Sequence, residues 1–189
     1  MILVLKSVAR DVFKYFDFRY FSRFLLTLLA LYGTNLFFIG LMIPGGLYSE
    51  FFVAHTNYIG WITTGLLQVS NGMLHLIGYD SYVSEIKILG IENGHRVIMQ
   101  YQCVGLGLMS FWTAFVIAHK AGWKTKAAWV AGGLGAICLI NSFRVAILLV
   151  ALNDRWPGVK TVDHHELFNY IAYALIATMM YLYYRRSES

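Results

Sequence analysis

Charged side chains are scarce in this chain: Asp, Glu, Lys and Arg make up 13% of its 189 residues, against 58% hydrophobic and 16% aromatic. That is too little polar surface to coat a soluble domain of this length. With a mean hydropathy of +0.58, the chain reads as an integral membrane protein. Cysteine is also sparse. Cys103 and Cys138 lie in different apolar segments and form no Cys-x-x-Cys or zinc-binding spacing, which argues against a disulfide framework and against a zinc module. Acidic residues are outnumbered, ten against fifteen Lys and Arg, and a net charge of +5 raises the question of nucleic acid. The distribution answers it, because ten of the fifteen basic residues fall in three clusters beside apolar runs. Such clusters set membrane orientation rather than follow a phosphate backbone. The first 23 residues carry Lys6, Arg10, Lys14, Arg19 and Arg23 among Phe and Tyr and lack a small-residue cleavage site. They predict an interfacial amphipathic helix on the cytoplasmic leaflet, not a signal peptide.

What is present is long apolar runs. Crossing a hydrocarbon core of roughly 30 Å takes about 20 mostly apolar residues, and four segments qualify: 24–43, 103–119, 127–152 and 165–184. A fifth, Asn57 to Gly78, carries Asn57, Thr63, Thr64, Gln68, Ser70, Asn71 and His75, a polar load suited to a helix lying among headgroups. Basic clusters decide between four crossings and five. Four crossings place the amino-terminal cluster, Lys120/Lys124/Lys126 and Arg185/Arg186 all in the cytoplasm, whereas five export at least one of them. The fold class expected is therefore an all-α membrane protein in a single domain, with four transmembrane helices, an amino-terminal interfacial helix, and an extracytoplasmic region over 44–102. That region holds an outer interfacial helix and a small hairpin, in which 85–89 and 97–101 flank Asn93-Gly94, a dipeptide typical of type I′ turns. The exposed edge of such a hairpin is a place where an extended peptide can pair.

This topology brings three polar residues to one outer face. Cys103 opens the second span and His165 opens the fourth. Arg144 is the eighteenth residue of the third counted from Ala127, about 26 Å from the inner end at 1.5 Å per residue. A thiol, a fixed cation and an imidazole make a candidate acyl-transfer site, and an ionisable residue inside a span is a functional hypothesis by default. Each also has a structural reading. Cys103 is a residue type often simply buried, and Cys138, with apolar neighbours, reads as packing. Arg144 as a snorkelling side chain reaches the headgroups, although Asn141 one turn earlier on its face argues for a polar pocket. His165 stands with His164 and Glu166 at a helix start that Asp163 is suited to cap. Asp163, His164, His165 and Glu166 are all possible metal ligands, yet adjacent residues do not share a helical face and no His-x-x-x-His spacing exists. No metal and no cofactor are expected.

The order of Cys103-Val104-Gly105, then Asn141-Ser142-Phe143-Arg144-Val145 inside a following apolar helix, then His165 opening the last helix, resembles the exosortase/archaeosortase family of membrane cysteine transpeptidases. That family's Cys-Ser-Gly or Cys-Ala-Gly has Val104 at its middle position here. His165-Glu166-Leu167-Phe168-Asn169-Tyr170 is similar to a His-x-x-x-Gly-aromatic start with Asn169 in place of Gly, which favours His165 over His164. The resemblance implies catalytic Cys103, Arg144 and His165, with Gly105, Asn141, Asp163 and His164 in support. It implies partners that are exported proteins bearing a carboxyl-terminal motif, a transmembrane helix and a basic tail, which are transferred to a lipid or glycan acceptor. The setting is the plasma membrane, with membrane lipids around the chain, the active site on the extracytoplasmic side and no role for nucleic acid. Two other classes fit the composition. A thiol oxidoreductase needs Cys103 and Cys138 within bridging distance, and a transporter or assembly scaffold needs polar residues along a path across the membrane.

Overall fold

The computed structural model describes residues 17–42, 47–85, 87–156 and 164–187, and of residues 164–168 and 187 the backbone alone. The first sixteen residues of the expected interfacial helix, and Asp163, lie outside them. The elements run α1 (Phe18–Met42), α2 (Glu50–His55), α3 (Tyr58–Leu76), β1 (Ser81–Ser84), β2 (Ile88–Ile91), β3 (Arg96–Ile98), a 3-10 turn (Tyr101–Val104), α4 (Leu106–Ala118), α5 (Trp123–Asn153) and α6 (His164–Ser187).

Among the described residues three segments are long and apolar enough to cross a bilayer: Phe18–Met42, Tyr101–Ala118 and Trp123–Asn153. At 25 and 31 residues, α1 and α5 measure about 38 Å and about 46 Å, more than the hydrocarbon core needs. The 13 residues of α4 reach only about 20 Å, so the preceding 3-10 turn completes that crossing. The 24 residues of α6 include five tyrosines. It is long enough but is not one of the three.

One helix boundary differs from the sequence reading for an identifiable reason. α1 starts at Phe18, not at residue 24, because Asp17 caps it: the Asp17 carboxylate accepts the Tyr20 N–H at 3.1 Å, satisfying one orphan donor of the first turn. The same bond holds the Asp17 carboxyl below its usual range. Arg19 and Arg23 consequently belong to the spanning helix. The segment expected as an outer helix, Asn57 to Gly78, is α3, Tyr58–Leu76. The short α2 precedes it. Two polar residues of α3, Thr63 and Ser70, are buried in packing, while Gln68 and His75 stay exposed. Asn57 caps α3 by accepting the Gly60 N–H at 2.9 Å. Thr63 and Ser70 lie on a buried face with Ile59, Leu66, Leu67 and Leu74, and this face packs on α5. There Ser70 Oγ lies 2.8 Å from Leu66 O and 2.9 Å from Ser142 O, while Ser142 Oγ donates back to Leu66 O at 3.1 Å. Hydroxyls that bond carbonyls of a neighbouring helix join two helices without stranding a polar group in an apolar core.

The expected hairpin is the second half of a three-stranded antiparallel sheet in the order β1-β2-β3, with Ser81 opposite Ile91 and Ile88 opposite Ile98. Its strands are offset from the expected 85–89 and 97–101. Its turn is not type I′, which needs positive φ at both central residues. Only Asn93 is left-handed, at φ 56°, in a turn closed by Gly94 N–H to Ile91 O at 3.0 Å. Gly94 sits in a tight place instead: a Cβ there would press on the Asn153 side-chain oxygen at the end of α5 and on Ile91. Leu89, Ile91 and Met99 carry the sheet into a core shared with Leu66, Leu74, Val104 and Leu149. A second core, built on Trp112, Phe115, Ile137, Met179 and Tyr183, lies toward the α4–α5 connection.

Candidate active site

The local structure around Cys103 follows from one glycine. Leaving the sheet, the chain tightens into the 3-10 turn, where the Cys103 N–H donates to Gln100 O at 2.9 Å. The turn ends at Gly105, whose φ of 83° is left-handed and costs a residue with a Cβ roughly 1–2 kcal/mol. Gly105 is also pressed by the Asn141 side chain, which a Cβ at this position meets head on. Asn141 is 4% exposed and its Nδ2 donates to Val104 O at 3.0 Å. The two short motifs read from the sequence are thus one structural unit: an amide from α5 holds the carbonyl beside Cys103, and it fits only because residue 105 has no side chain.

Cys103, Gly105, Asn141 and Arg144 all line a single cavity of about 1010 Å³. Cys103 is half-buried, as is Arg144, one turn beyond Asn141. α1 contributes Tyr32, Asn35, Leu36 and Ile39, and α6 contributes Asn169, Ile171, Ala172 and Tyr173. Cys138, also half-buried and free, packs against the first core and does not line the cavity. His164 and His165 form the first turn of α6; their side chains, like Asp163, lie outside what the structure describes. Among the described residues no three His, Cys, Asp or Glu side chains gather into a metal-binding group.

The cavity's charged lining is cationic. Lys87 and Arg144 face it and, among the described residues, no carboxylate does. Lys87 Nζ also stands 4.1 Å from the centre of the Tyr101 ring, a cation–π contact that fixes one rim. A cation near a thiol favours the thiolate, and a cation near a carbonyl under attack stabilises the oxyanion.

Among the lining residues that escaped the sequence reading are Asn35, Lys87 and Tyr101. Asn35 is the legible one, since an asparagine in the middle of a spanning run is unusual. Its amide lies at the centre of a polar chain in which Tyr58 OH donates to Asn35 Oδ1 at 2.6 Å, Asn35 Nδ2 donates to Ser110 Oγ at 3.0 Å, and Ser110 Oγ donates to Leu106 O at 2.8 Å. Burial pushes the Tyr58 phenol up, so it remains a donor throughout the physiological range. This chain ties α1 and α3 to the first turn of α4.

The Gly105–Asn141 contact yields a quantitative expectation. Gly105→Ala destabilises the protein through strained φ and collision, and Asn141→Ala leaves the Val104 carbonyl unsatisfied, at a cost of about 1–3 kcal/mol. In the double variant the smaller side chain at 141 makes room for the new methyl, so the combined loss in thermal stability in detergent is smaller than the sum of the two. Strictly additive losses would show that the two residues do not act on each other.

A family model described as transmembrane exosortase matches residues 21–182 of this chain. No curated protein matches it, and no solved structure does.

Proposed function

Because the chain belongs to the transmembrane exosortase family, we propose that it is a membrane cysteine transpeptidase that cleaves a carboxyl-terminal sorting signal from exported proteins and passes them to a surface acceptor. The observation that carries this reading is the lining of one cavity by Cys103, Asn141 and Arg144, from two different helical segments. In the proposed chemistry the Cys103 thiolate attacks the scissile carbonyl and forms a C–S bond. Arg144 supports the oxyanion, and collapse of the tetrahedral intermediate expels the amine, which takes a proton from His165. The thioacyl group is then resolved by an acceptor nucleophile, lipid or glycan, or by water, whose proton returns to His165. Helix periodicity supports the choice of histidine: position 165 precedes Asn169, Ala172 and Tyr173, all cavity-lining, by four, seven and eight residues, the spacing of one helical face. Position 164 shares such spacing with Ile171 and Ala172, also cavity-lining, but not with Asn169 and Tyr173.

The test uses an exported reporter domain fused to candidate tails, each an apolar helix followed by basic residues, taken from exported proteins of the source cell. At least one fusion is expected to lose its tail in cells that contain this chain and to keep it in cells that lack it, read by mass at the new carboxyl terminus. Membrane-inserted fusions that are all left intact would overturn the reading.

The same proposal places α6 across the membrane as a fourth crossing and the cavity on the extracytoplasmic side. A reporter active only outside the cytoplasm should then work when fused after Tyr79 or Trp156 and stay silent after Trp123. Activity at Trp123 with silence at Tyr79 would invert the arrangement.

A further inference from the structure

The sheet edge beside the thiol has backbone groups to offer. β3 is terminal in the order β1-β2-β3, so one side of it pairs with β2 and the other has no strand partner among the described residues. The ladder fixes which groups point which way. Met99 N–H donates to Lys87 O at 2.7 Å, Ile91 N–H donates to His95 O at 3.0 Å, and Leu89 lies opposite Val97. Residues 95, 97 and 99 therefore turn their backbone groups toward β2, and Arg96, Ile98 and Gln100 turn theirs to the open edge. The Gln100 carbonyl is taken by the Cys103 N–H, which leaves the Ile98 N–H and C=O and the Gln100 N–H facing outward. This stretch, from Ile98 through Gln102, lines the same cavity as Cys103, and Ile98 is 60% exposed.

We propose that an extended segment of the substrate polypeptide adds to β3 as a fourth strand, hydrogen-bonded to Ile98 and Gln100, and is led by that pairing past Cys103. The proposal rests on the transpeptidase reading of the cavity. A polypeptide is the occupant that fits, because its backbone alone repeats donors and acceptors at the strand spacing that the edge presents. The edge is continuous with the cavity rather than a separate surface. Among the described residues the charged lining is Lys87 and Arg144, a setting that disfavours lysine or arginine in the segment beside Lys87. An apolar side chain packs on Ile98. Arg96, at the far end of β3 and exposed, is the kind of charged residue that keeps an open edge from pairing indiscriminately.

The probe is the reporter fusion that wild-type protein processes. Gln100 has φ −88°, near the proline range, and its N–H is outside the ladder, so Gln100→Pro deletes one outward donor without opening the β2–β3 pairing. Gln100→Ala, which keeps the N–H and loses the side chain, is the reference. Processing efficiency (kcat/KM) should be about tenfold lower for Gln100→Pro than for Gln100→Ala, the worth of one hydrogen bond. Equal efficiencies would overturn the proposal. A second measurement covers the case in which the proline variant fails to accumulate. Ile98→Cys is placed in a Cys103→Ala, Cys138→Ala background and oxidised against reporters carrying single cysteines along the segment. Cross-links at alternate residues are expected, the repeat of a paired strand; cross-links at consecutive residues, or none, would overturn it. The two failures are separable. If wild-type protein processes no reporter, the transpeptidase reading falls. If wild-type processing is intact and either the proline effect or the alternation fails to appear, the edge proposal alone falls.

Discussion

Cys103→Ala or Cys103→Ser reduces processing of the reporter to the level of cells without the protein, while Cys138→Ala leaves it intact. The expectation follows from placement and chemistry together. Cys103 lines the cavity at the head of α4 and Cys138 does not, so only one of the two free thiols has access to a substrate held there. The thiolate is the attacking species, and a serine hydroxyl in the same place lacks an accessible anion. Because Cys103 is only half-buried and its local geometry is set by the Gly105–Asn141 contact, the alanine variant should fold and reach the membrane at normal levels. Equal loss from both cysteine variants would instead favour a redox pair. A processing-competent Cys103→Ala protein would end the transpeptidase reading.

How much of this was legible beforehand depends on whether the signal is local. The membrane class and the runs in α1, α4 and α5 follow from hydropathy, which needs no tertiary information, and the shared end of Cys103 and Arg144 follows from counting antiparallel crossings. The bond between the two motifs was not legible: the positive φ of Gly105 and the reach of Asn141 to Val104 O are properties of the folded backbone. The packing role of two polar residues of α3, Thr63 and Ser70, was not legible for a similar reason. A serine that bonds a carbonyl on the next helix looks, in sequence, like a serine meant for headgroups, and only the Ser70–Ser142 contact separates the two. Strand β1, Ser81–Ser84, gave little warning, since four residues with serine at both ends carry almost no alternation. Asp17 was readable as a cap, but the basic residues on either side of it drew the boundary too late.

The cation and the imidazole should be separable by substitutions that preserve charge or position. Arg144 offers a planar fork of donors. Arg144→Lys keeps the charge and loses the fork, so the rate of the acyl-transfer step is expected to fall roughly a hundredfold or more if the fork is what holds the oxyanion. Arg144 takes part in interactions besides lining the cavity, so the variant's thermal stability is measured alongside, and the prediction is a fall in kcat without a matching fall in folded protein. His165→Ala should cripple transfer as severely, and His164→Ala should do much less, because position 165 shares a face with Asn169, Ala172 and Tyr173 in α6. Near-normal rates for Arg144→Lys would reduce the arginine to a source of field, acting on the thiol through charge alone. The opposite ranking of the two histidines would place the proton carrier on the neighbouring face, the one that carries Ile171.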